Sequence, residues 1–73
     1  MTKFFQKDGK TVNLDRVMFF QRENGTSLNN KGYLISFYFD EYDPVIFRFT
    51  DEKVRDGYFD IISEHLETYT IPD

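Results

Sequence analysis

His65 is the single histidine of this 73-residue chain, so it is the one side chain poised by type for acid–base work near neutral pH. A base of that kind needs a nucleophile within hydrogen-bond reach. Ser63 is two residues away, a spacing that turns the two side chains to different sides of a helix. Ser27 and Ser36 could approach only through the fold. There is no cysteine, which removes thiolate nucleophiles, disulfides and thiolate zinc sites together. Asp40, Glu41 and Asp43 in "DEYDP" could offer carboxylate oxygens to a hard cation. They lack the spacing and the glycine of a calcium loop, and a solvated turn explains them as well. No phosphate-cradling glycine loop is present. These residues predict a non-enzymatic protein with no cofactor and no metal.

Two other constellations carry binding rather than catalysis. Asp56, Asp60, Glu64 and Glu67 step by four, four and three, which lines them along one side of a helix. Like charges at that spacing are mildly destabilising. Such an acidic ridge can imitate the phosphate ladder of a nucleic acid. The second constellation is aromatic. Residues 31–49, "KGYLISFYFDEYDPVIFRF", hold seven of the fourteen aromatic residues of the chain. Aromatic strands beside Lys and Arg are how single-stranded nucleic acid is held on open sheets.

Charge weighs against nucleic acid. The net charge is -4, and it is unevenly spread. Residues 1–32 carry six Lys/Arg against three Asp/Glu, whereas residues 33–73 carry three against ten. A dipolar chain of this kind is suited to contact between copies of itself. No stretch approaches the roughly 20 apolar residues of a membrane helix. "MTKFFQKDGK" is too polar for a secretory leader. The expected location is cytoplasmic, with no membrane partner.

The elements that must position these groups follow from periodicity. Asp8-Gly9 between two short apolar-alternating runs predicts a two-residue hairpin, because both turn residues need positive φ. Strands are predicted at about 3–7, at about 10–23 with a bulge near Asp15-Arg16, at about 33–39 and at about 45–49. The Asn- and Gly-rich stretch 24–32 reads as a loop. From Thr50 onward the period changes. Val54, Tyr58, Ile61, Ile62, Leu66 and Tyr69 fall at steps of three and four, which predicts a helix over about 51–69 with that stripe inward. Thr50 or Asp51 suits its N-cap, and Pro72 ends it. Gly57 inside the helix costs about 1 kcal/mol relative to Ala, so close packing is its expected reason. The whole chain, 1–73, is read as a single α+β domain. It is a four-stranded antiparallel meander with one C-terminal helix packed on one face.

Strand side chains alternate between faces. Tyr33, Ile35, Phe37, Phe39, Val45, Phe47 and Phe49 make an almost wholly apolar set, the predicted core under the helix. The opposite set mixes Leu34, Tyr38 and Ile46 with Ser36, Asp40, Arg48 and Thr50. One helix covers one face, so Met18, Phe20, Leu34, Tyr38, Ile46 and Arg48 form the candidate partner face. A second copy of the chain is its simplest occupant. The alternative is that the N-terminal hairpin folds across it, with Phe4, Phe5, Val12 and Leu14 filling the space.

"TVNLDRV", "YLISFYFD" and "PVIFRFTDEKVRDGYFDII" together resemble a pattern found in short uncharacterised bacterial and phage proteins. These pair strand-rich N-terminal halves with a helix opened by an acidic stretch. The resemblance spans about residues 11–66 and implies a fold and a bacterial or mobile-element setting, not an activity. Four strands followed by a helix is also similar, in element order alone, to the PC4-type single-stranded DNA-binding dimer. The expected function is a small protein-binding or regulatory module that forms a homodimer, with another protein as a further possible partner. Single-stranded nucleic-acid binding on the same face, or nucleic-acid mimicry by the acidic helix, are the alternatives.

Overall fold

The structure is a computed structural model that describes residues 3–26 and 31–66. Chain order is β1 (Phe4–Lys7), β2 (Lys10–Asn13), a 3-10 turn at Leu14–Arg16, β3 (Phe19–Thr26), β4 (Lys31–Tyr38), β5 (Val45–Phe49) and α1 (Glu52–His65). The class is α+β, as expected, but the four-stranded meander is replaced by two antiparallel sheets. One holds β1 and β2, and the other has the order β3-β4-β5.

Leu14–Arg16 is where the predicted strand 10–23 breaks. Asn13 accepts a hydrogen bond from the Asp15 amide through its side chain (3.0 Å) and so caps a turn. Asn and Asp favour such local bonds over a ladder. Leu14 is buried at that corner, and its amide bonds back to the Lys3 carbonyl (2.9 Å). The chain therefore changes sheet here instead of bulging. At the other end of the hairpin, Asp8 and Gly9 take φ of 53° and 79°. These are the positive values that a type I′ turn demands.

Both layers lie on one side of the large sheet. The core gathers Val12 and Leu14 from the hairpin region, Ile35, Phe37, Phe47 and Phe49 from β4 and β5, and Ile62 from α1. Phe5 packs its ring against Phe37 (5.7 Å between centroids), Phe47 (5.1 Å) and Tyr58 (6.1 Å). The hairpin and the helix thus lie over the same face and seal it together. Tyr33, Phe39 and Val45 pack at the margin of this core, so the predicted inward set is the observed one.

Asp51 caps α1, accepting from the Lys53 amide (2.8 Å). The helix is turned relative to the predicted stripe. Its inward residues are Arg55, Phe59, Ile62 and Leu66, a set at steps of four, three and four. Val54 and Ile61 instead lie on an exposed flank, while Tyr58, also partly exposed, keeps its ring against Phe5 and Phe49. Arg55, 4% exposed, explains the rotation. Its Nη1 donates to the Glu23 carbonyl (2.8 Å), to the Leu34 carbonyl (3.4 Å) and to Asn24 Oδ1 (3.3 Å). Its guanidinium also lies 5.5 Å from the centre of the Tyr33 ring. A planar fork with five donors can satisfy several carbonyls at once, which Lys cannot. Gly57 is exposed, and an added Cβ would meet nothing within 4 Å. Close packing is therefore not what retains it. The predicted positions Tyr69 and Pro72 lie outside the described residues. No helix among the described residues is long and apolar enough to cross a membrane, a finding that concerns helices alone.

Candidate binding face

Register decides which residues share the uncovered face of the β3-β4-β5 sheet. Phe19 pairs with Tyr38, Gln21 with Ser36 and Glu23 with Leu34, while Leu34 pairs with Arg48 and Ser36 with Ile46. These eight residues form one surface, with β4 along its middle. No element of the described chain lies over it, because α1 and the hairpin both occupy the other side. The hairpin-cover alternative is not what the fold shows.

Four of the six candidate residues are brought together here: Leu34, Tyr38, Ile46 and Arg48. Phe20 is a correction. It pairs with Phe37 and faces the core, with ring centroids 6.1 Å from Phe37 and 5.1 Å from Phe59. Its place on the open face is taken by Phe19. Alternation sets Val17 and Phe19 against Met18 and Phe20 but does not say which pair meets the core, and the fold turns Phe20 inward. Met18 is 59% exposed at the entry of β3, where it lines a cleft with Val17, Phe19, Phe20 and Leu66.

The open face has a dry end and a polar middle. Phe19 and Tyr38 stack with centroids 4.3 Å apart and planes 8° apart. They come from adjacent strands, so the stacking axis runs across the sheet. Edges, not flat faces, are then presented to anything above. Tyr38 OH accepts from Gln21 Nε2 (3.2 Å), which also donates to Glu23 Oε2 (3.3 Å). Ser36 Oγ donates to Glu23 Oε1 (2.7 Å). Leu34, between Glu23 and Arg48, is only 3% exposed. Long charged side chains cover apolar neighbours with their stems while the heads stay in water. The apolar surface left on this face is Phe19 (51% exposed) with parts of Tyr38 and Ile46.

The acidic ridge is interrupted. Asp56 accepts from Arg55 Nε (2.7 Å) and lies 3.3 Å from Arg22 Nη1, so its charge is matched. Arg22 also sits 5.2 Å from the centre of the Phe59 ring. Asp60 and Glu64 are exposed, and Glu67 lies outside the described residues. His65 is exposed at the helix end, and its backbone carbonyl accepts from Lys3 Nζ (3.3 Å). Asp40, Glu41 and Asp43 are exposed on the turn between β4 and β5. Among the described residues, no three His, Cys, Asp or Glu side chains are grouped to hold a metal ion.

No protein-family model matches the chain, and neither does any curated protein or solved structure. The functional reading therefore rests on the geometry.

Hydropathy could not reveal Arg55, since it scores Arg as polar wherever it stands. Its signal lay in the spacing: Arg55, Phe59, Ile62 and Leu66 make as regular a stripe as the one chosen. Phe19 and Phe20 are neighbours on one strand, so alternation separates them without saying which one meets the core.

Proposed function

We propose that this chain is a small protein-binding module that forms a two-fold homodimer through the uncovered face of the β3-β4-β5 sheet. The observation that carries the reading is that both covering elements lie on the same side, leaving Phe19, Tyr38 and Ile46 with no described element over them. Charge placement favours a second copy. Glu23 lies on β3 and Arg48 on β5, level with each other across Leu34. A two-fold axis parallel to β4 sets β3 of one copy over β5 of the other. Each Glu23 then meets Arg48 of the second copy, and the two Tyr38 rings meet near the axis.

The face measures roughly 15 by 25 Å, or about 400 Å2 in plan. That is small beside the about 800 Å2 per partner of a standard interface, so the dimer is weak and concentration-dependent. Single-stranded nucleic acid is the poorer occupant. Bases stack on ring faces, whereas the Phe19–Tyr38 stack offers edges, and Glu23 would repel phosphates from the middle of the sheet. Mimicry by the acidic helix is also less well supported, since Asp56 is already paired.

A charge exchange tests the reading. Glu23→Arg alone and Arg48→Glu alone should each be monomeric. Mixed in equal amounts, the two variants should form a heterodimer, because opposite charges are restored at both contacts. Ile61→Asp, on the exposed flank of the helix, should leave dimerisation unchanged. A mixture that stays monomeric where the unmodified protein dimerises would remove this face from the interface.

A further inference from the structure

The inward face of the β1–β2 hairpin changes character along its length. Phe5 pairs with Val12, and Lys7 pairs with Lys10 on the same side two positions nearer the turn. Phe5 and Val12 reach the core. Beyond them the hairpin overhangs β5, an edge strand of its sheet, and the two lysines come down on that edge. Lys7 Nζ donates to the Arg48 carbonyl (2.8 Å) and Lys10 Nζ to the Ile46 carbonyl (3.2 Å). The ammonium groups also lie over aromatic rings, Lys7 4.7 Å from the centre of Phe49 and Lys10 5.8 Å from that of Phe47. Lysines at an edge are a known guard against unwanted strand pairing. Here they also leave an open cleft of about 760 Å3, with Lys7, Lys10, Asp8, Ile46 and Arg48 in its wall.

We infer that this cleft is a docking site for an extended acidic peptide, which adds to β5 as a further antiparallel strand. The exchange of partners is balanced. The Ile46 and Arg48 carbonyls are two residues apart, about 6.8 Å along an extended strand. Backbone N–H groups at alternate positions of the peptide match that spacing and take over both carbonyls. The released ammonium groups turn to carboxylates on the intervening residues, whose side chains point to the hairpin side of the sheet. Each carbonyl keeps a donor. Lys10 exchanges a neutral acceptor for a charged one, the stronger bond, while Lys7, already paired with Asp8 (2.6 Å), adds a second carboxylate in place of the carbonyl. The wall holds Lys7 and Lys10 against the single carboxylate of Asp8, so it favours acidic ligands within a chain of net charge -4. The main-chain bonds supply affinity and the lysines supply selectivity, as in strand addition generally. This site lies on the sheet's edge and does not depend on the dimer.

Fluorescence anisotropy at low salt provides the test, with labelled Glu-Thr-Glu-Thr-Glu as probe. Binding is expected, and it should weaken by about tenfold or more with Gln in place of each Glu. N-methylation at the Thr positions should abolish it by removing the donors for Ile46 and Arg48. Lys10→Gln, a change at an exposed side chain, should weaken the acidic probe while leaving the neutral one unchanged. Absence of binding by the acidic probe at low salt would overturn the inference, as would equal binding of the Gln peptide. Equal binding of the N-methylated peptide, or full competition by inorganic phosphate, would reduce the cleft to a simple anion site and overturn strand addition.

Discussion

The two faces of the β3-β4-β5 sheet are built from the same three strands, yet they solve opposite problems. On the covered face Phe20, Ile35, Phe37, Phe47 and Phe49 meet rings and aliphatic groups from α1 and the hairpin. Water is excluded by layers brought from elsewhere in the chain. On the open face Leu34 and Ser36 are just as inaccessible, although no described element lies above them. There Ser36 is held in a cross-strand network with Glu23, Gln21 and Tyr38. Burial on one side therefore reflects tertiary packing, and on the other it reflects cross-strand neighbours. The consequence is that the open face can lose a residue cheaply and the covered face cannot.

Truncation should expose that asymmetry most strongly. Phe37→Ala removes a fully buried ring that touches Phe5, Phe20 and Phe47, and should cost about 3–5 kcal/mol. Total stability for a chain of this length is of the order of 4–11 kcal/mol, so this variant should be largely unfolded by far-UV circular dichroism. Phe19→Ala, one position from Phe20 but on the other face, should cost about 0.5–1.5 kcal/mol, the worth of an aromatic pair. Urea titration at low protein concentration keeps dimerisation out of that comparison. Equal losses for the two variants would erase the distinction between the faces.

Arg55 comes next in size. Arg55→Ala strips a donor from the Glu23 and Leu34 carbonyls and from Asn24. The two carbonyls keep their ladder partners, so what is lost is the charge-assisted bonds, about 1.5–3 kcal/mol each at most, and a total of about 2–4 kcal/mol is expected. Arg55→Lys should recover little of it, because one ammonium cannot replace the planar fork. Full recovery by Lys would show that charge alone matters there. The smallest effect has the opposite sign. Gly57→Ala on the exposed side of α1 should stabilise by about 0.5–1 kcal/mol, since its Cβ meets nothing and the unfolded chain loses freedom. A loss of stability would instead mean that the glycine serves a contact made outside this chain.

The covered face was legible because period-two alternation along 33–39 and 45–49 needs no knowledge of the rest of the fold. The Asp8-Gly9 turn was legible for a similar reason, as φ is a local property. What was hidden depended on a single corner. Nothing in "NLDRVMFF" declares that Asn13 will cap a turn, yet that turn splits one strand into two and sends the hairpin over the core. The helix stripe failed through Arg55, whose burial depends on carbonyls supplied by Glu23 and Leu34, far away in the chain. The site was thus half readable: Leu34, Tyr38, Ile46 and Arg48 from alternation, but neither Phe19 nor the lysine-guarded edge of β5.

Sedimentation equilibrium over concentrations up to about 0.5 mM, matched to an interface of about half the standard size, tests the central claim most directly. The account predicts a monomer–dimer equilibrium that Phe19→Asp shifts fully to monomer with the circular dichroism spectrum unchanged. A single monomeric mass across the whole range, or a dimer untouched by Phe19→Asp, would contradict it.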